Sequence, residues 1–313
     1  DKGMDDLAAM DLLIHIGNVS GASLSLRPKK VWRVNPDGEL RDPWQRLTYV
    51  FEMEEHRFFA HYADTSAEAR TTYLDAFQSH LADIRKKLNV ESLPFSNLWI
   101  ASQIAGRLPE NSVLHLGILN SLRCWNFFET SRTIHGYCNT GGFGIDGNIS
   151  SLLGASLVHP DRLYLGVVGD LAFFYDMNVI GNRHVGRNIR LLVVNNGKGT
   201  EFRNYNHPGA GFGEEADLFI AAGGHYGNKS HQLIRHYAED LGYEYLSARN
   251  KEEFIVNADR FLCSEMTDRP MLFEVFTDNQ NESDALFYVR NLVISAKGVL
   301  KSVAKKVLSG DEI

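Results

Sequence analysis

The sequence is poor in cysteine: Cys124, Cys138 and Cys263 are scattered, and no CxxC pair occurs. That excludes a disulfide framework and a structural zinc site, and leaves the thiols as small buried apolar groups. No apolar run approaches the roughly 20 residues that cross a bilayer, and the opening DKGMDDLAAM lacks the basic, apolar, small-residue order of a signal peptide. No membrane partner is expected, and the expected location is cytoplasmic. Lys/Arg-rich runs are also missing, and 39 acidic against 32 basic residues leave a formal charge of -7. A phosphate backbone would be repelled, so no nucleic-acid partner is expected.

What remains is ordinary globular material, 313 residues with 44% hydrophobic and 23% charged content, enough for one large domain or two smaller ones. DLLIHIG, VWRVN and TYVFE read as short strands with little sequence before them. From Thr65 a long amphipathic helix is expected, with acid early, base late, and Tyr73, Phe77, Leu81 and Ile84 at helical spacing. Beyond Pro94, helical patterns near 97–107, 119–129, 148–158, 172–181, 229–241 and 251–265 alternate with the strands SVLHLG, TIHGYC, LYLGVVG, IRLLVVN, YEYLS and MLFEVFT. Short buried strands alternating with helices predict an α/β fold: a mostly parallel, doubly wound sheet with helices on both faces, preceded by part of a second α/β domain. Ligands of such sheets sit at the carboxyl ends of the strands.

Two of those ends carry chemistry. LYLGVV runs into Gly169-Asp170-Leu171, and IRLLVV into Asn195-Asn196-Gly197-Lys198-Gly199. An aspartate and an asparagine one β-α-β unit apart, beside a glycine-rich turn with free carbonyls, form an all-oxygen set suited to Mg²⁺ holding a diphosphate. The backbone N–H groups after Asp170 would meet the phosphate oxygens. Taken singly, Asp170 reads as a helix cap and the asparagines as a turn. A second glycine-rich stretch, TGGFGIDGN, spaces Gly142, Gly144 and Gly147 as GxGxxG. That spacing fits a dinucleotide loop, but its strand is short and glycine-broken, and Asp170 comes with an Asn-Asn partner that a ribose site does not need.

GDL followed by a helix, a strand and VVNNGKG resembles the thiamine-diphosphate signature of the 2-oxoacid decarboxylase and acetolactate synthase superfamily. CNTGGFGIDGNISSLLGASL and LGILNSL are similar to one branch, the menaquinone-pathway synthases that join 2-oxoglutarate to isochorismate. The resemblance covers most of the chain. It implies residues 1–64 as the end of a truncated central domain, 65–94 as a linking helix and 95–313 as the diphosphate-binding domain. It implies thiamine diphosphate and Mg²⁺ as cofactors, with Asp170, the Asn196 side chain and the Lys198 carbonyl as metal ligands. Asn120 and Ser121 would lie near the diphosphate, with Gly169, Leu171 and Ala172 at the turn. Gly142, Phe143, Gly144, Ile145 and Asp146 would face the aminopyrimidine, Ile145 as an apolar wedge beneath the rings.

The same resemblance implies decarboxylation of a 2-oxoacid donor and transfer to an acceptor the sequence does not name, in a homodimer or homotetramer of the full-length protein. It implies no catalytic residue within this chain, because the activating glutamate of the superfamily comes from an N-terminal domain; the chain alone is expected to be inactive. Two arginines of the branch are replaced, by Trp125 and Thr140, which become the substrate candidates; Arg123 lies two residues early on its helix. The alternatives are a nicotinamide-dependent oxidoreductase and a non-catalytic relic subunit. His135, His184, His207 and His225 show no metal-ligand spacing, and His115 reads as a hydrogen-bonded core residue. EFRNYNHPGAGFGEEA reads either as a lid over the site or as a plain surface loop.

Overall fold

The structure, a computed structural model, describes residues 5–17, 26–63, 71–140, 142, 144–204, 207–220 and 230–292. Its contacts divide the chain into two compact units, the first the residues to Asn89 together with those from Val289, the second Val90–Tyr288. The long helix expected as a linker is grouped with the first of these stretches of sequence.

In the first unit, α1 (Asp5–Ala8) leads into β1 (Ala9–Ile16), followed by β2 (Arg27–Val34) and β3 (Leu47–Phe51). The three pair in parallel in the order β1-β2-β3. Burial singles out the central strand: Val31 and Val34 are inside, and so is Arg33, whose guanidinium donates to the carbonyls of Glu39 at 2.9 Å and Gly17 at 3.0 Å and pairs with Asp37 at 3.1 Å. A buried charge so satisfied is tolerated. Trp32 and Phe51 pack on Phe58 and Tyr62 of α2 (Glu55–Tyr62), a helix whose pattern did not stand out in the sequence. α3 (Thr72–Lys87) carries the predicted amphipathic pattern but buries none of its residues. The expected start of that helix, at 65, lies outside the described residues.

The second unit holds the predicted doubly wound sheet. Its elements are α4 (Asn97–Ile104), β4 (Val113–Leu116), α5 (Asn120–Trp125), β5 (His135–Cys138), α6 (Asn148–Ser156), β6 (Tyr164–Gly169), α7 (Asp170–Asp176), β7 (Ile189–Asn195), α8 (Asp217–Ile220), α9 (Leu233–Asp240), β8 (Glu244–Ala248), α10 (Lys251–Phe261), β9 (Met271–Phe276) and α11 (Asn279–Asn291). All its strand pairs are parallel, in the order β5-β4-β6-β7-β9-β8. Composition sorts centre from edge: β7 is buried along its whole length, whereas three of the four residues of β5, HGYC, are exposed.

Alternate residues of the central strands face two helical layers. Leu191 and Val193 share a cluster with Ile149, Leu152 and Leu153 of α6, Phe173 of α7 and Ala238 of α9. On β9, Phe273 stacks on Phe254 of α10 with ring centres 5.3 Å apart. Gly166 lets α6 approach: a Cβ there would lie 2.7 Å from Leu152 Cδ2 and 3.0 Å from Leu191 Cδ1. The one charge inside β7, Arg190, is fully buried and donates to the carbonyls of Phe261 and Glu265, each at 2.8 Å. The chain leaves β4 towards β5 on one side and returns to β6 on the other, so the strand order reverses between β4 and β6. The crevice above that reversal is where ligands of open α/β sheets bind.

Candidate functional site

Loops from the carboxyl ends of three strands meet above the reversal. Ile118–Ser121 follow β4, Gly169–Ala172 follow β6 and Lys198–Phe202 follow β7; with Gly144–Asp146, Asn196, Asn97, Tyr175, Val194 and Glu282 they line a cavity of about 390 Å³. Gly117 fixes the first loop by donating its backbone N–H to Val167 O at 2.7 Å. Leu119 then takes φ 71°, ψ -114° before α5 begins. For a non-glycine residue such a backbone costs about 1–3 kcal/mol, and strain of this kind collects at functional sites.

The Asp170 and Asn196 motifs follow the two buried strands β6 and β7. Asp170 is 1% exposed, and it does not cap its own helix: Gly169 occupies the cap position without a side-chain bond. Its Oδ2 accepts the Gly197 backbone N–H at 2.7 Å, which joins the turn after β6 to the turn after β7. Gly197, at φ 87°, supplies the left-handed conformation that this turn requires. The two asparagines part company. Asn195 turns into the sheet and donates to Glu274 at 2.6 Å, while Asn196 lines the cavity. Lys198 also lines it, with its ammonium drawn aside to Asp217 at 2.5 Å.

One wall was not legible in the sequence. Glu282 of α11, 1% exposed, accepts the Asn97 backbone N–H at 3.0 Å and the Thr277 hydroxyl at 2.6 Å. Burial pushes its carboxyl up to about 7, against the opposing effect of the Thr277 and Asn97 bonds, and the nearby Asp170 charge adds to the rise. Asn97 donates its amide to Ser121 Oγ at 3.2 Å and accepts from the Trp125 indole at 3.1 Å. Trp125 is therefore a buried strut, 3% exposed, and does not line the cavity. The other side of its helix turn reaches the site instead: the Arg123 guanidinium pairs with Glu201, a lining residue. Helical phase alone concealed this, because the unusual backbone at Leu119 sets where the short helix starts.

The glycine loop follows edge strand β5. Gly144, Ile145 and Asp146 line the cavity, and Ile145 also packs against the core cluster behind α6. Gly142 and the exposed Thr140 are not among the lining residues, and Phe143 lies outside the described residues. A Rossmann unit places its glycine loop and its acid on neighbouring strands. Here β4 stands between β5 and β6, so Gly142–Gly147 and Asp170 do not form one.

Of the histidines, His115 is 6% exposed and its Nε2 meets Asn139 Oδ1 at 3.1 Å, while His207 Nδ1 accepts the Gly209 N–H at 2.9 Å. His135 and His184 are exposed, and His225 lies outside the described residues. Part of the segment after β7 belongs to the wall: Glu201 and Phe202 line the cavity from a 3-10 turn (Thr200–Arg203). Residues 205–206 of that segment lie outside the described residues.

The chemistry of the lining fits thiamine diphosphate with Mg²⁺. The lining offers a carboxylate, an amide and backbone groups, together with Ile118, Leu119, Ile145, Leu171 and Phe202, an apolar surface for flat rings. The Thr200 hydroxyl on this wall is buried and has no hydrogen-bond partner among the described residues. Among the described residues no three His, Cys, Asp or Glu side chains could hold a metal by themselves. A metal here would lean on few protein ligands plus phosphate oxygens, the habit of Mg²⁺. The charges agree: with Glu201 paired to Arg123 and the Glu282 carboxyl raised by burial, the lining still has Asp146 and Asp170, while Lys198 is drawn aside to Asp217. A diphosphate would be repelled by such a surface without a divalent cation.

The comparisons with known proteins point the same way. No family model matches the chain. It is 30% identical over 287 residues to the 2-succinyl-5-enolpyruvyl-6-hydroxy-3-cyclohexene-1-carboxylate synthase of Phocaeicola vulgatus, covering 90% of this chain and 49% of that protein. The synthase of the same name from Bacteroides fragilis is 29% identical over 261 residues, 83% of this chain and 44% of that protein. That of Christiangramia forsetii is 32% identical over 204 residues, 65% of this chain and 33% of that protein. The resemblance carried by the motifs thus extends over most of the chain, which spans about half the length, or less, of the curated relatives it matches. Among the described residues no helix is long and apolar enough to cross a membrane.

Proposed function

We propose that this chain forms the diphosphate-binding part of a thiamine-diphosphate- and Mg²⁺-dependent enzyme that decarboxylates a 2-oxoacid and joins the product to an acceptor. The observation that carries the reading is the meeting of the Asp170, Asn196 and Ile145 loops around one cavity at the strand reversal. Asp170 and Asn196, with the Lys198 carbonyl, would hold Mg²⁺; Asn120, Ser121 and the N–H groups opening α7 would receive the diphosphate. Ile145 and Leu171 would exclude water from the ring end. Once bound, the cofactor supplies the electron sink that both decarboxylation and carbon–carbon bond formation need.

On this reading the glutamate that activates the cofactor is supplied from outside these 313 residues, the active assembly is a homodimer or homotetramer of the full-length protein, and turnover by this chain alone would contradict it. Arg123, paired with Glu201 at the cavity wall, would meet an acidic substrate group only by exchanging that partner. The test is calorimetric titration of thiamine diphosphate with and without Mg²⁺. Binding is expected only with the metal, and Asp170→Ala is expected to weaken it by about 100-fold. NAD(H) binding that survives removal of Mg²⁺ would replace this reading with an oxidoreductase.

A further inference from the structure

Ile145 follows the exposed edge strand of the sheet, yet the turn at 144–148 is held by a polar network. Asn139, one residue past β5, donates its Nδ2 to Gly147 O at 3.0 Å and to Ser151 Oγ at 3.1 Å. Gly147 itself sits at φ 72°, and Asn148 donates to Ile145 O at 2.6 Å. Both carbonyls that bracket the loop's last turn are thereby held by asparagine side chains.

The orientation of Asn139 follows from its partners. A carbonyl only accepts, so the nitrogen of the amide must face Gly147 and its oxygen must face His115. His115 Nε2, 3.1 Å from that oxygen, is then the donor. Burial pushes the His115 pKa down, opposed by the Asn139 bond, which suits a neutral imidazole carrying its proton on Nε2. His115 stands on β4, paired in register with Tyr137 of β5, so the chain of bonds runs from the sheet interior to the loop.

We infer that Asn139, locked by His115, is the positioning residue that sets the height of Ile145 against the cofactor rings. This rests on the function proposed above, since without that cofactor the network would anchor the loop to no such purpose. It separates two jobs within one cavity: Asp170 and Asn196 govern the diphosphate end, and Asn139 governs the ring end.

The test compares the full chain with Asn139→Ala, His115→Ala and His115→Gln, the last keeping a side-chain donor. Three readouts are taken: thiamine diphosphate affinity, affinity for inorganic pyrophosphate with Mg²⁺, and amide exchange of 144–148 against 165–172. Asn139→Ala is expected to weaken thiamine diphosphate by about tenfold and to speed exchange in 144–148, with pyrophosphate affinity and exchange in 165–172 unchanged. His115→Ala should follow in the same direction, and His115→Gln should recover most of the loss.

Unchanged exchange in 144–148 overturns the inference whether or not cofactor binds. Equal loss of both ligands with a general rise in exchange also overturns it, as that marks a structural defect. If the unmodified chain takes pyrophosphate but no thiamine diphosphate, the cofactor reading fails, and the positioning role falls with it even where the exchange change is seen.

Discussion

The two walls of the cavity come from opposite environments of the same sheet. The Asp170 wall grows from β6 and β7, whose residues are almost all buried; the Ile145 wall grows from β5, an edge strand left largely exposed. Charge is handled at the centre, where neighbours on both sides fix Asp170, Gly197 and Glu282. Ile145 is presented from the edge, where the backbone has fewer strand partners and polar side chains hold its turn in place. On the proposed function the two walls would do different work: a metal set at the centre would tolerate little displacement, whereas a ring-facing loop at the edge would be placed by a few hydrogen bonds.

The largest stability effect belongs to the buried charge of the central wall. Glu282 has its carboxyl raised to about 7 by burial, from an ordinary value of 4.5. The folded state therefore binds the proton more tightly than the unfolded chain, and stability falls as pH rises from about 4.5 to about 7, by about 3 kcal/mol in all. Glu282→Gln should flatten that fall and leave the protein more stable at pH 8, as read by denaturant titration across pH; an unaltered pH dependence would place the buried charge elsewhere.

A smaller effect separates centre from edge by the same change of residue. Gly166→Ala on β6 drives a methyl into Leu152 and Leu191 and should cost about 1–3 kcal/mol, whereas Gly136→Ala on β5, with open space around it, should stay within about 0.5 kcal/mol. Equal melting temperatures for the two variants would erase the contrast. Last is Trp125→Phe, which trims a buried ring and removes one hydrogen bond to Asn97. A loss of about 1 kcal/mol is expected, with thiamine diphosphate affinity nearly unchanged. A large loss of affinity would return Trp125 to the binding surface.

Most strands were legible as short apolar runs between turn residues, as in YLGVVG and IRLLVVN; their order in the sheet was not. α2 and α11 were not: EHRFFAHY mixes charge with aromatics, and the first turns of α11, NQNESDA, carry no apolar periodicity. At the site, Asp170, Asn196 and Ile145 were legible because each belongs to a local motif. Glu282 and Asn97 lie 185 residues apart and meet only through the fold, so no spacing announces them. Trp125 and Arg123 show a subtler limit. The face each one takes on a six-residue helix is set by the backbone at its first turn, which spacing does not reveal.

The most direct measurement is a crystal structure of this chain grown with thiamine diphosphate and Mg²⁺. The account predicts the metal at about 2.0–2.1 Å from an oxygen of Asp170 and from the Asn196 side-chain oxygen, with the cofactor rings over Ile145. A cofactor bound elsewhere, or a metal that leaves Asp170 uncoordinated, would contradict it.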